Sequence, residues 1–106
     1  MEEMLVSYVP DRWTRIKLNV RREDGTYDEQ HRVLAAWKGG WLHSDSWRLS
    51  SPIKDVIQED AMQEVYTEGG SIYECYKDRQ GHNPMIESKL SKLREEFGED
   101  NVEVLE

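Results

Sequence analysis

The chain has 106 residues, of which 37% are hydrophobic and 34% are charged, and its net charge is −8. This length fits one domain, and this balance of residues excludes an intrinsically disordered chain. No apolar run approaches the roughly 18 residues of a membrane span, and the acidic N-terminal segment lacks the basic residues of a signal peptide. Because the single cysteine, Cys75, can form no internal disulfide, we expect a cytoplasmic protein.

The charge is divided unevenly along the chain. Residues 11–54 contain nine Lys/Arg and six Asp/Glu, whereas residues 55–106 contain five Lys/Arg and 14 Asp/Glu. All four tryptophans lie in the first, positive segment. A chain of this kind is expected to present a basic, tryptophan-rich face and an acidic face to different partners.

The first elements predicted in chain order are the two strands of an antiparallel hairpin. Apolar residues alternate with basic or polar ones over residues 12–21, which predicts a strand with one dry face and one basic face. Asp24-Gly25 is a tight-turn signal, and a second strand is predicted over residues 30–38. The N-terminal letters MLVSYV offer one further short strand.

Shorter strands and one helix follow the hairpin. Gly39-Gly40 predicts a bend. Asn83 and Pro84 fit the start of a helix over residues 84–97, where apolar residues recur at spacings of four, three and four. A last strand is possible in NVEVLE. The other predicted strands are residues 46–50, 53–58, 63–67 and 71–77.

This order of elements is typical of an α+β domain. We expect either a small curled antiparallel sheet or an SH3-like, partly open barrel, with one C-terminal amphipathic helix. Internal repeats and low-complexity tracts are lacking in the sequence.

Motifs for catalysis, metals and cofactors are also lacking. The three histidines stand far apart, a single cysteine cannot build a thiolate zinc site, and no HExxH spacing occurs. Neither a P-loop nor a GxSxG elbow is found. Cys75 lies between Glu74 and Tyr76 in a predicted strand, where a buried, inert thiol is expected. We therefore predict a protein that is not an enzyme and that uses no metal and no cofactor.

The four tryptophans differ in the strand phase that they occupy. Trp37 and Trp47 fall on the apolar phase and are predicted to fill the core, with a role in lining a binding surface as the alternative. The other two indoles fall on a basic phase or have no apolar periodic partner, and exposed aromatics beside cations are enriched at binding sites. The predicted solvent-facing recognition surface therefore contains Trp13, Arg15, Lys17 and Trp41.

Three segments stand out together: VLAAWKGGW, DSWRLSSPI and VYTEGGSIYECYKDRQG. In this combination the chain resembles a family of small phage and prophage proteins, over about residues 8–86. It departs from the family's pattern at Pro52, where such proteins often carry glycine. The resemblance implies an accessory protein of a bacterial virus that acts by binding. The matched segments would bring to a shared site Gly39, Gly40, Asp45, Ser46, Trp47, Arg48, Ser50, Ser51, Ser71, Tyr73 and Tyr76.

Four functions remain open at this level. The small size, the missing motifs and the resemblance favour binding of a host protein in the host cytoplasm, with inhibition of host defence as one outcome. The second function is a small-ligand module that sequesters an anionic nucleotide. Direct binding to single-stranded nucleic acid is disfavoured by the net charge, and nucleic-acid mimicry by the acidic C-terminal half is the fourth. No membrane partner is expected, and the oligomeric state is open.

Overall fold

The computed structural model describes residues 6–39 and 45–105 of the chain. Gly40 and Trp41, both expected at the site, lie outside the described residues. Two short 3-10 turns cover Lys77–Arg79 and Glu99–Asn101. The main elements in chain order are β1 (Val6–Tyr8), β2 (Arg12–Arg21), β3 (Tyr27–Trp37), β4 (Ser46–Leu49), β5 (Ile53–Gln58), β6 (Met62–Thr67), β7 (Ser71–Tyr76), α1 (Pro84–Phe97) and β8 (Val102–Leu105).

The eight strands form two four-stranded sheets. The first sheet has the order β1-β7-β6-β5, and the second has the order β4-β3-β2-β8. Only β1 and β7 run parallel among the pairs of described strands; the other pairs are antiparallel. The α+β class with one C-terminal helix is confirmed, but the described strands are divided between two sheets and do not close into a barrel.

The hairpin of β2 and β3 is the longest paired unit. Its ten paired positions run from Arg12 opposite Ala36 to Arg21 opposite Tyr27. Gly25 lies in the connecting turn with φ of 88°, a conformation that costs little for a residue without a Cβ atom. The alternation that predicts β2 also decides which of its side chains share a face, because successive strand residues point to opposite sides.

The helix begins and ends where its terminal residues predict. The side chain of Asn83 accepts a hydrogen bond of 2.9 Å from the Ile86 amide, and Pro84 occupies the first turn, where no amide donor is needed. Gly98 ends the helix with φ of 95°, the backbone geometry that glycine tolerates best. The buried stripe of Ile86, Leu90 and Leu93 faces the second sheet.

The molecule has three layers, with the second sheet in the middle. One face of that sheet packs Ile16, Leu18 and Leu34 against the helix. The opposite face packs against the first sheet. This inter-sheet core consists of Trp13, Val33, Ala35, Val65, Tyr73 and Cys75. Both faces of β2 are therefore covered along part of their length, whereas the alternating pattern predicts one wet face.

Candidate functional site

Trp13 is a core residue, so its predicted place on a solvent-facing surface is wrong. The side chain is fully buried between the two sheets. Its Nε1 donates a hydrogen bond of 2.8 Å to the carbonyl oxygen of Tyr76, which satisfies the indole polar atom inside the core. The physical reason for the error is the first sheet, which covers the basic phase of β2 with strands from the second half of the chain.

Arg15 and Lys17 follow Trp13 on the same face of β2, and neither forms a free basic surface. Arg15 Nη1 lies 3.5 Å from Gln63 Oε1 of the first sheet, and its Nε is buried without a hydrogen bond to the described residues. Lys17 Nζ lies 3.0 Å from a carboxylate oxygen of Glu103 and 3.8 Å from one of Glu29. The hydrogen bond and charge of Glu103 raise the pKa of Lys17. The predicted basic face is thus partly covered and partly neutralised.

Ser50 and Ser51 hold the crossing between the two sheets. Ser50 is buried, and its Oγ accepts from the Val33 amide at 2.8 Å while it donates to the Ser51 carbonyl at 2.8 Å. Ser51 Oγ accepts from the Gly69 amide at 2.8 Å. A Cβ atom at Gly69 would stand 2.8 Å from that hydroxyl oxygen, so the approach of the two segments depends on glycine. Both hydroxyls therefore form hydrogen bonds within the fold.

The residues that do gather at a concave surface lie around the ends of β1, β3 and β4. They enclose a cleft of about 360 Å³ that is lined by Tyr8, Trp37, Ser46, Trp47 and Arg48. We call these five residues the aromatic cleft. Three of them come from the segments predicted to form the site, namely Ser46, Trp47 and Arg48. Tyr8 and Trp37 complete the cleft through the packing of β1 and β3.

Arg48 is the centre of the cleft. Its guanidinium carbon lies 4.8 Å from the centroid of the Tyr8 ring, and its Nε donates a hydrogen bond of 3.1 Å to the hydroxyl of Tyr73. The Tyr8 ring stacks on the buried Tyr73 ring with centroids 5.1 Å apart. Burial raises the pKa of Tyr73, and Arg48 opposes that rise. The two phenols therefore hold one guanidinium in a fixed position before any ligand arrives.

Trp47 lines the edge of the cleft from the helix side of β4, opposite Ala36, whereas Arg48 faces the first sheet. The prediction that Trp47 fills the core is wrong. The residue is 44% exposed, because β4 is an edge strand and the helix covers only one side of the indole. Lys89 of the helix places its Nζ 4.7 Å from the Trp47 ring centroid. Trp37 is half-buried: its ring lies 5.8 Å from that of Tyr8, and its Nε1 donates to the Val9 carbonyl at 2.9 Å.

The residues beside the cleft carry carboxylates as well as cations. Asp45 Oδ1 accepts from the Gly39 amide at 3.1 Å, and Asp11 Oδ2 accepts from the Lys38 amide at 2.8 Å. Gly39 and Asp45 thus lie in contact on either side of residues 40–44. Their contact fixes the backbone where β3 leads toward β4.

The tyrosine strand β7 contributes to the cleft through only one side chain. Tyr73 and Cys75 point into the inter-sheet core, and Tyr73 reaches Arg48 from there. Tyr76 points to the other side of β7, where its ring lies 5.5 Å from the guanidinium of Arg79. Ser71 takes part through its carbonyl oxygen, which accepts from Thr67 Oγ1 at 2.8 Å. Tyr76 and Ser71 therefore lie outside the aromatic cleft.

Cys75 is a buried thiol in the same core. Burial raises its pKa to about 12, against a smaller opposing effect of Arg15. The thiol is thus protonated at neutral pH, and its sulfur is a poor nucleophile in the folded protein. Among residues 6–39 and 45–105, no group of three or more His, Cys, Asp or Glu side chains is placed to hold a metal ion.

Tyr8 is the site residue that the sequence analysis missed. It lies on β1, which pairs with β7 in parallel so that Tyr8 faces Tyr73. Contacts of this kind join distant parts of the chain, and no local periodicity predicts them. The available signal was weak: an aromatic residue two positions before Pro10 in a short apolar segment.

Comparison of the chain with protein-family models, with curated proteins and with solved structures gave no match. Within the part of the chain that the structure describes, no helix is both long enough and apolar enough to cross a membrane.

Proposed function

We propose that this chain is a non-catalytic binding protein that recognises a protein partner through the aromatic cleft. The observation that carries the proposal is the guanidinium of Arg48, which Tyr8 and Tyr73 hold in place in a cleft that the 44% exposed Trp47 also lines. Tryptophan, tyrosine and arginine are the residue types that dominate the binding energy of protein interfaces. Because the arginine is already ordered, its side chain loses little conformational entropy when a partner binds.

The surroundings of the cleft extend this surface with apolar side chains. Val6 of β1 is 45% exposed and Val9 is 40% exposed. Val9 is tied to the cleft because its carbonyl accepts the Trp37 indole hydrogen bond. An apolar rim around an ordered arginine suits a protein surface with an apolar residue and a hydrogen-bond acceptor.

The charges near the cleft favour a protein partner over a phosphate. Arg48 is the single cation among the described residues that line the cleft, and its Nε already donates to Tyr73. The nearby Lys89 lies against the Trp47 ring on the helix side of β4. Asp11 and Asp45 place carboxylates at the neighbouring end of β3. A phosphate group usually meets several donors at once, whereas a mixed surface of this kind is ordinary for protein recognition.

The biological setting that we propose follows from the phage-type sequence pattern. In this setting the chain acts in the cytoplasm of an infected bacterium and binds a host protein, with inhibition of a defence component as the expected consequence. Ser46, Trp47 and Arg48 of the segment DSWRLSS would form its contact surface, while Ser50 and Ser51 of the same segment hold the fold.

Affinity capture with matched variants tests the proposal. Immobilised wild type, the double variant Trp47→Ala/Arg48→Ala and the control Tyr27→Ala would be exposed to bacterial lysate. Tyr27 is a suitable control because it is a 53% exposed aromatic at the opposite end of β3 from Trp37. We expect one partner to be retained by the wild type and the control, and reduced about tenfold or more with the double variant, as for loss of central interface residues.

Equal recovery by all three proteins would contradict a role for the cleft. The absence of any specifically retained protein across several bacterial hosts would contradict the proposed class of partner. Unfolding curves of the three proteins must overlap closely, because only then does a difference in recovery report on recognition.

An anionic nucleotide is the second candidate ligand. The cleft volume of about 360 Å³ falls within the range of small-molecule sites, and Trp47 and Arg48 offer a stacking surface and a cation. A thermal-shift series with mono-, di-, tri- and cyclic nucleotides tests this alternative, because a ligand at 100 times its Kd stabilises the fold by about 2.7 kcal/mol. An unchanged Tm with every nucleotide would exclude an anionic nucleotide as the ligand. Nucleic-acid mimicry by the acidic C-terminal half stays a prediction.

A further inference from the structure

The second sheet has an edge that β4 leaves open. β3 runs from Tyr27 to Trp37, but β4 pairs only with its last part, from Leu34 to Trp37. On its other side, β3 pairs with β2 from Tyr27 to Ala36. On the β4 side, the first part of β3 therefore has no neighbouring strand among residues 6–39 and 45–105.

Strand geometry shows which backbone groups point toward the open side. The amide and the carbonyl of Val33 both bond to Ser50, on the β4 side. Backbone groups alternate in direction along a strand of an antiparallel pair, so the groups of Glu29 and His31 point the same way as those of Val33. No hydrogen bond within the described residues uses the backbone groups of either residue.

A groove of about 500 Å³ lies beside this open edge. It forms because the chain leaves the second sheet after Ser50 and enters β5 of the first sheet at Ile53, so that β5 diverges from β3. Both walls are thus built from strand residues and the segment that follows β6. The groove is lined by Asp28, Glu29, Gln30, His31, Pro52, Ile53, Lys54, Asp55, Val56 and Glu68.

The charges of the lining residues identify the kind of chain that fits. Four carboxylates and one ammonium group line the groove. Asp28 and Glu29 are partly neutralised, by Arg22 at 3.0 Å and by Lys17 at 3.8 Å. Asp55 and Glu68 form no ion pair with the described residues. A second copy of this edge would bring the same carboxylates together, and like charges directly opposite one another destabilise strand pairing.

We propose that this groove binds an extended, arginine- or lysine-bearing segment of a protein partner, whose main chain pairs with the free backbone groups of Glu29 and His31. Main-chain pairing at an open sheet edge is a common mode of peptide recognition. The carboxylates of Asp55 and Glu68 would meet the cationic side chains. This site is separate from the aromatic cleft, and its test does not depend on the result for Trp47 and Arg48.

Titration of the full chain with a defined peptide tests the proposal. The probe is an acetylated, amidated octapeptide in which arginine alternates with valine, added at physiological ionic strength so that distant charges are screened. We expect saturable binding in which the amide NMR signals of Glu29 and His31 shift most and exchange more slowly with solvent. The same peptide with alternate backbone nitrogens methylated keeps its charge but loses strand donors, and we expect about tenfold weaker binding.

Two charge variants separate a site from general attraction to an acidic protein. Asp55→Asn/Glu68→Gln removes two charges from the groove, and Glu95→Gln/Glu96→Gln removes two from exposed positions of α1. We expect the first to weaken peptide binding about tenfold and the second to change it less than twofold. A result in which both variants weaken binding equally, or in which both peptides bind equally, would overturn the proposal.

Sedimentation of the free chain provides the remaining measurement. We expect this edge to remain unpaired in solution at the concentrations used for the titration. If the free chain formed a dimer that the octapeptide dissociated, a second copy would occupy the edge, and this result would also overturn the proposal.

Discussion

Trp13 and Trp47 have the same side chain but differ in burial, because their surroundings differ. Trp13 lies on a long central strand and is fully buried between two sheets. Trp47 lies on a short edge strand, is 44% exposed and lines the aromatic cleft. Strand phase predicts the reverse assignment. What decides the difference is the layer that covers each strand, and that layer comes from distant parts of the chain.

The two regions also differ in the hydrogen-bond partners of their polar side chains and in the exposure of those side chains. The Trp13 indole donates to a backbone carbonyl, and its neighbour Arg15 reaches Gln63 across the core. In the aromatic cleft, the guanidinium of Arg48 is ordered by two phenols but remains at the surface. The first arrangement stabilises the fold, whereas the second positions a cation for a partner. Five experiments test this difference between the two regions.

The largest effect is expected from truncation of the buried indole. Trp13→Ala removes the largest fully buried side chain among the described residues and leaves the Tyr76 carbonyl without its indole donor. We expect a loss of about 3–5 kcal/mol in the free energy of unfolding, as for other buried aromatic truncations. Urea unfolding at equilibrium measures it. A loss below about 1 kcal/mol would mean that the inter-sheet core does not depend on this ring.

Ser50→Ala tests whether the serine of the motif belongs to the fold. The substitution leaves the buried Val33 amide without its side-chain acceptor, and an unsatisfied buried donor costs about 1–3 kcal/mol. Partner binding at the aromatic cleft should be retained. Ser88, exposed on α1, gives the matched control, with a change within about 0.5 kcal/mol. If Ser50→Ala abolished binding at unchanged stability, this serine would belong to the recognition surface instead.

The pH dependence of the free energy of unfolding tests whether the Cys75 thiol is shielded from water in the inter-sheet core. Its pKa is raised from an ordinary 9.0 to about 12, so between these values the unfolded chain releases a proton that the folded protein keeps. This contribution to stability is full below pH 9 and falls by up to about 1.4 kcal/mol for each pH unit above it. Unfolding curves of the wild type and Cys75→Ala at several alkaline pH values measure the difference in slope. Parallel slopes would indicate a solvated thiol.

Truncation of the exposed indole should affect stability much less than truncation of Trp13. We expect Trp47→Ala to lower the free energy of unfolding by about 1–2 kcal/mol, because an edge residue that is 44% exposed has less burial to lose. The same variant should remove an indole that acrylamide quenches readily in the folded protein, whereas Trp13 should be protected from the quencher. A large loss of stability at Trp47 would reverse the distinction between the two regions.

Local patterns predicted much of the fold. The alternation over β2, the Asp24-Gly25 turn and the capping residues of α1 act within a few positions, and the structure has a hairpin and a helix there. Local patterns could not show which face of β2 is dry. That face is covered by Val65, Tyr73 and other residues far along the chain, so its basic residues looked like a solvent-exposed surface.

The site was predictable in part for the same reason. Ser46, Trp47 and Arg48 stand together in the sequence and line the cleft together. Tyr8 reaches them only through a parallel pairing with β7, and Tyr73 only through the inter-sheet core. Ser50 and Ser51 share the motif with Arg48, but they hold the crossing between the sheets. One motif therefore contains both folding residues and candidate contact residues.

The smallest expected effect concerns Lys17, which lies on the same face of β2 as Trp13 and Arg15. Glu103 of β8 is its main partner at 3.0 Å, and Glu29 lies farther away at 3.8 Å. These carboxylates raise the pKa of Lys17 above 10.5, so the stabilisation that the lysine gains is full below pH 10.5 and is lost as the pH rises through its folded value. Glu103→Gln should bring the pKa of Lys17 down toward 10.5, and Glu29→Gln should lower it less, as measured by NMR titration of the lysine side chain. An unchanged pKa in Glu103→Gln would mean that the ammonium group is free, and the basic face of β2 would then have one residue available for a partner after all.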